Sequence, residues 1–177
     1  MMTRWIFVLI VMAVVVQRVF EVRLSNRNVA QILERGGKEE SDNALPLVKL
    51  LQICWWISMI AEVWWFDRPF IPWLAAVGIL GAIAGQVLRY FSMRALGWRW
   101  TLPIMTLPSQ PLVKNGVYAY LRHPNWLGVV IEIAALPLIH NAYLTAIFFS
   151  IANGVLMYKR IQLEEAVLHA SVEQAAI

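Results

Sequence analysis

LPLVKLLQICWWISMIAEVWWFDRPFIPWLAAVGILGAIAGQVLRYFSM, residues 45–93, is two apolar runs broken only by Asp67, Arg68 and Pro69. Each run has about the 20 residues that a helix needs to cross a hydrocarbon core, so the stretch reads as two spans, 45–66 and 70–93. The short break between them forces a tight antiparallel hairpin. Gly78, Gly81 and Gly85 fall on related faces of the second span. Small residues at this spacing let helix backbones approach closely, and a contact inside the bundle is favoured over a dimer contact.

Working outward from this hairpin, residues 4–24 form another span. Its apolar core, 5–16, follows a lone Arg4, but no small-residue cleavage site follows, and 17–24 continue an amphipathic helical pattern. A retained first helix is expected rather than a signal peptide. On the other side, 124–139 and 143–158 are shorter apolar segments joined by His140-Asn141, and they read as thin spans or as a hairpin only partly exposed to lipid. Pro137 is expected to end or kink the first of them one turn early. The fold class is therefore all-α, an integral membrane bundle of about five transmembrane helices. It forms one domain, 1–177, made of a three-helix part (1–93), a pocket loop (94–123) and a hairpin with a C-terminal helix (124–177).

Composition agrees. Of 177 residues, 60% are hydrophobic, and the mean hydropathy is +0.61. The net charge is +4, but the basic residues lie in loops between apolar runs, which suits cytoplasmic loops and gives no case for nucleic acid. The single Cys54 allows no intrachain disulfide and reads as packing. With five spans, one side would hold Arg23, Arg27, Arg35, Lys38, Arg94, Arg99, Lys114, Arg122, Lys159 and Arg160, against Arg4 and Arg68 on the other. That asymmetry predicts an external N-terminus, a cytoplasmic C-terminus and an active site facing the cytoplasm.

Two polar connections interrupt the spans. Residues 26–43 mix charges around Gly36-Gly37 and read as an interfacial helix with a flexible break, to which no chemistry is assigned. Residues 94–123 carry Trp98, Trp100, Pro103, Pro108 and Pro111. Loops of that length are functional or disordered, and interfacial tryptophans favour an ordered lid or pocket wall.

The chemistry concentrates at Arg122-His123-Pro124-Asn125-Trp126-Leu127-Gly128. Pro124 suits the first position of a helix, leaving the N–H groups of Asn125, Trp126 and Leu127 free to receive an anion, with Arg122 and His123 adding positive potential. By itself this is also what an ordinary helix cap with a snorkelling arginine looks like. The following hairpin, however, returns Arg160, Glu164 and Glu165 to the same membrane surface, which makes a mixed-charge pocket; a bare Arg160/Glu164 surface pair is the plainer alternative. Glu132, two turns beyond Pro124, is costly in lipid and needs a partner such as Arg89 or Arg160, in a functional or a purely pairing role. Glu62 reads as structural. Arg18, Glu21, Gln86 and Arg89 either wall the pocket or solvate helix ends. His123, His140 and His169 are too dispersed for a metal site.

Leu112-Val113-Lys114-Asn115-Gly116-Val117-Tyr118-Ala119-Tyr120-Leu121-Arg122-His123-Pro124-Asn125-Trp126-Leu127-Gly128, followed by Arg160-Ile161-Gln162-Leu163-Glu164-Glu165, resembles the isoprenylcysteine carboxyl methyltransferase family over roughly the C-terminal half. Gln17-Arg18-Val19-Phe20-Glu21 and the Trp98-rich loop are similar to a small bacterial branch tied to O-methylation of alkylpyrones and alkylresorcinols. The resemblance implies a methyltransferase of the bacterial inner membrane that uses S-adenosylmethionine. It assigns the cofactor to Val113, Gly116, Tyr118, Arg122, His123, Pro124, Asn125, Trp126, Gly128, Glu164 and Glu165. Arg160, Glu132 and Glu164 are the implied catalytic set, with Glu132 or His123 a candidate base for a phenolic acceptor. Trp126 departs from the commoner tyrosine of the family. The expected partner is a lipophilic small molecule or a prenylated substrate, presented from membrane lipid. Alternatives are a phospholipid N-methyltransferase and a non-enzymatic scaffold.

Overall fold

The computed structural model describes residues 1–107 and 112–175, with side chains described as far as 167. The described residues form five α-helices: α1 (Met2–Glu34), α2 (Leu45–Trp65), α3 (Pro72–Leu96), α4 (Pro124–Leu138) and α5 (Tyr143–Ala175). Proline sits in the first turn of α2, α3 and α4, where its missing N–H removes no helical bond. By length and composition α1, α2 and α3 are able to cross a membrane, while α4 is apolar but shorter. Both connections between antiparallel helices turn on a residue in the left-handed region, Asp67 after α2 and Asn141 after α4, a conformation that short polar side chains tolerate. Pro137 lies inside α4, which continues to Leu138 rather than ending a turn early.

α4 is the hub. Its Val129, Ile133 and Leu136 pack in one core with Phe7 and Val11 of α1 and with Trp55 and Met59 of α2. Against α3 the approach is closer still. A Cβ on Gly85 would stand 2.8 Å from the Gly128 carbonyl oxygen, and one on Gly78 would stand 2.8 Å from the Ile139 nitrogen. The glycine face of α3 is thus filled by α4 of the same chain. Because lipid is as apolar as a protein core, such backbone contacts rather than apolar burial hold membrane helices together. Cys54, in contrast, is exposed and packs against none of this core.

Two buried polar layers tie the helices. Glu62 of α2 accepts the backbone N–H of Leu144 and Thr145 at 3.2 and 2.7 Å and the Thr145 hydroxyl at 2.7 Å, and it pairs with Arg68 at 2.8 Å. A carboxylate from another helix therefore caps the start of α5. Deeper in the bundle, Arg18 of α1 pairs with Glu21 and with Glu132 of α4, and Arg89 of α3 pairs with Glu21. Gln86 donates to Glu132 at 3.1 Å, and Gln17 donates to Gln86 at 2.7 Å. Two guanidinium and two carboxylate groups cancel where an unpaired charge would be costly. These residues neither solvate helix ends nor line the cavity described below. Glu132 has Arg18 as its close partner, with Arg89 Nε at 4.0 Å, and no contact to Arg160.

α1 is 33 residues long, about 50 Å, against a hydrocarbon core of about 30 Å. Its excess supports the loop. Asn28 donates to the Trp100 carbonyl at 2.7 Å, and the Ser25 hydroxyl accepts the Leu102 N–H at 2.8 Å. The helical part of 26–43 is therefore a continuation of α1 to Glu34, not a separate element. At Gly36, φ +81°, the chain turns into β1 (Lys38–Glu39), which pairs antiparallel with β2 (Met105–Thr106), Lys38 opposite Thr106.

Candidate active site

Asn141 and the bond from the Ala142 N–H to the Pro137 carbonyl, 2.9 Å, close the α4–α5 turn, and α5 then runs back beside α4. The two sequence patches consequently meet. His123 Nε2 lies 3.1 Å from Glu165 Oε1, and Trp126 Nε1 donates to Glu164 Oε2 at 2.8 Å. The Arg160 guanidinium sits 4.8 Å from the centroid of the Trp126 ring, within cation–π range. Arg122 is the outermost member, 90% exposed and 4.0 Å from Glu165.

Beside this latch is a cavity of about 270 Å³, near the lower end of the size range for small-molecule sites. Its lining includes Val113, Tyr118, Arg122, His123, Asn125, Trp126, Arg160 and Glu164, and the loop contributes Trp100, Pro103 and Met105. The loop is thus a wall of the cavity, as its tryptophans and prolines suggest; Pro108 and Pro111 lie outside the described residues. Trp98 stands back from the cavity, with the Arg35 guanidinium 3.9 Å from its ring.

Other expected site residues do not line the cavity. Gly116 is a turn residue at φ +59°. Pro124 begins α4 and is buried. At Gly128 a Cβ would meet Arg89 Cγ at 2.6 Å, so this glycine serves the α3–α4 contact. Glu165 reaches the site through His123, and Glu132 belongs to the ion cluster inside the bundle.

The start of α4 supplies donors. His123 is the N-cap and offers no side-chain cap bond. Its carbonyl already accepts the Leu127 N–H at 3.1 Å, so of the three N–H groups expected, those of Asn125 and Trp126 are left without a helical partner among the described residues. Asn125 Oδ1 is buried without a partner among the described residues. Burial, joined by the Glu164 carboxylate, pushes the Tyr118 hydroxyl above its ordinary pKa, while the Ser92 hydroxyl opposes the shift. Tyr118 is accordingly a donor rather than a base. Together these groups offer neutral donors, one buried acceptor and a carboxylate to a ligand that carries charge of both signs.

Arg160 has a partner that the sequence did not disclose. Its Nη2 lies 2.8 Å from Asp42 Oδ2 and donates to the Leu102 carbonyl at 2.7 Å. Asp42 lies in the connection to which no chemistry was assigned. Nothing in the local pattern before Leu45-Pro46 points from Asp42 to α5.

A sequence model of the isoprenylcysteine carboxyl methyltransferase (ICMT) family matches residues 76–170, from α3 to beyond Glu165. An uncharacterized protein of Bacillus subtilis, YpbQ, is 32% identical over 163 residues, covering 92% of this chain and 96% of its own. A protein-S-isoprenylcysteine O-methyltransferase of Rattus norvegicus is 36% identical over 76 residues, 41% of this chain and 27% of the rat protein. The protein of that name from Tribolium castaneum is 26% identical over 129 residues, 71% of this chain and 46% of the beetle protein. The matched region therefore spans less than half the length of either animal relative.

Proposed function

From the premise that this chain belongs to the isoprenylcysteine carboxyl methyltransferase family, we propose that it is an S-adenosylmethionine-dependent membrane O-methyltransferase acting on a lipophilic, acidic acceptor. An alkylpyrone-like or alkylresorcinol-like acceptor is preferred to an isoprenylcysteine carboxylate. The observation that carries the reading is the double contact, His123 to Glu165 and Trp126 to Glu164, joining the two family motifs beside one cavity.

The residues fit the cofactor chemically. When bound, S-adenosylmethionine supplies a methyl group that an acceptor oxygen takes in line, the carbon–sulfur bond breaking with its electron pair left on sulfur. Glu164 and Glu165 offset positive charge, and the free N–H groups of Asn125 and Trp126 at the α4 start receive a carboxylate. The buried Asn125 Oδ1 accepts a donor hydrogen. Arg160 orients an anionic acceptor oxygen, and the loop wall keeps water out, so positioning carries most of the catalysis. In this reading the site faces the cytoplasm of a bacterial inner membrane, the side on which the loop arginines and lysines gather.

The test uses the purified protein in nanodiscs. Calorimetry should detect S-adenosylmethionine binding, and a labelled methyl group should pass to an alkylpyrone, an alkylresorcinol or an isoprenylcysteine in preference to phosphatidylethanolamine. Absence of cofactor binding by the intact protein overturns the reading. Transfer to phosphatidylethanolamine alone overturns the acceptor assignment.

A further inference from the structure

We propose that Asp42 is a positioning residue of this site, setting the plane in which the Arg160 guanidinium meets the acceptor; the inference rests on the function proposed above. Asp42 lies outside the region matched by the family model and on the far side of the bundle in sequence. Nevertheless its side chain and that of Arg160 are each only 2% exposed, and they form an ion pair at 2.8 Å.

The carboxylate is itself held from two directions. Asp42 Oδ1 accepts the Ala44 N–H at 2.9 Å, just ahead of α2. The segment before it is fastened to the cavity wall, with the Glu40 N–H donating to the Ile104 carbonyl at 2.9 Å and the Thr106 hydroxyl to Glu40 at 2.8 Å. One oxygen of Asp42 thus serves the helix start while the other faces the guanidinium. Oδ2 stands 2.8 Å from Arg160 Nη2 without an aligned hydrogen bond, so the charge of a fixed carboxylate sets where the guanidinium rests.

Arg160 is then bounded by Asp42, by the Leu102 carbonyl and by the Trp126 ring. Its Nε–H is buried and has no partner among the described residues, and the residue lines the cavity. The anchored side of the guanidinium is therefore the Asp42 side, and donor capacity is left for an acceptor oxygen. Without the Asp42 charge, the nearest replacement on the same helix is Glu164, one turn along. Pairing there would rotate Arg160 away from its present plane and compete with Trp126 for Glu164.

The test is Asp42→Asn, which keeps a capping oxygen for Ala44 and removes only the charge. The expected result is a fall in kcat per folded molecule of at least about tenfold, with S-adenosylmethionine affinity within about threefold; the melting temperature falls as well, because the Arg160 cation is left buried without its partner. Asp42→Glu, which restores the charge, should recover part of the loss. In an Arg160→Lys background, Asp42→Asn should add little, because its effect passes through the guanidinium. A kcat per folded molecule within twofold of wild type, a full independent effect in the Arg160→Lys background, or a cofactor affinity that falls in parallel with kcat each overturn the assignment. A wild-type protein that neither binds the cofactor nor transfers methyl overturns the functional reading and this one with it. An active wild type with an unaffected Asp42→Asn overturns this one alone.

Discussion

Trp126 donates its indole N–H to Glu164 at 2.8 Å while the face of the same ring lies 4.8 Å from the Arg160 guanidinium. One side chain in the first turn of α4 thereby positions both an acid and a cation of α5. Its edge and its face have separable jobs.

Trp126→Phe removes the edge contact and keeps an aromatic face. A hydrogen bond to a charged group is worth about 1.5 kcal/mol at the low end, which suits a partly buried place, so S-adenosylmethionine affinity should fall roughly tenfold. Trp126→Ala removes the face as well, and kcat should drop further as Arg160 loses its support. Calorimetry and single-turnover rates separate the two effects; identical affinities for Phe and Trp would show that the Glu164 contact is idle.

Tyr118 provides a pH handle. Its hydroxyl is held above the usual tyrosine pKa by burial and by Glu164. In the alkaline range the unfolded chain gives up this proton while the folded protein keeps it, so stability contributed by the protonated group declines as pH rises past about 10. Tyr118→Phe should consequently flatten the alkaline limb of the stability profile while leaving its shape near neutrality unchanged. Melting temperatures of both proteins between pH 8 and about 11 check this, and parallel curves across that range would refute it.

Much of this arrangement is legible in the chain. The lengths of the apolar runs, and Pro124 at the start of α4, specify the helices and the ends of α2 and α4 closely, though not that of α1, which runs on to Glu34, and the Arg160/Glu164 spacing gives the face that returns to His123. What stays hidden has physical reasons. Lipid and core are equally apolar, so nothing local marks Cys54 as outward-facing. A buried carboxylate such as Glu132 demands a cation, and Arg89 and Arg160 satisfy that demand equally on paper; the packing of α1 on α4 instead delivers Arg18, while the close approach of α3 and α4 at Gly85 and Gly128 brings Arg89 to 4.0 Å. Asp42 accepts the N–H of Ala44, the residue that itself caps α2, and nothing local shows that its second oxygen meets Arg160; that follows only once β1 meets β2.

The glycine contact itself is open to a controlled test. Gly85→Ala would place a Cβ 2.8 Å from the Gly128 carbonyl oxygen, whereas around Gly154 nothing lies within 4 Å. The first substitution must separate α3 from α4 and should cost about 1–3 kcal/mol. Gly154→Ala should be neutral or stabilising by up to about 1 kcal/mol, since alanine is the better helix former. Denaturant titration in detergent reads both, and similar effects at the two positions would mean that the α3–α4 contact is looser than described.

The ion cluster separates structure from catalysis at Glu132. Glu132→Gln keeps the shape and a polar end but leaves Arg18 and Arg89 facing Glu21 alone. Breaking a buried pair by removing one partner costs about 3–5 kcal/mol, which lowers the melting temperature by roughly 6–20 °C in a chain of this size. Adding Arg18→Gln restores neutrality and should recover most of that loss, because the penalty lies in the uncompensated charge rather than in the missing bond. Turnover per folded molecule should survive in both variants, since Glu132 does not line the cavity. Should Glu132→Gln instead keep its stability and lose turnover, the carboxylate acts on the acceptor, and the ion cluster would have to open to it during the reaction.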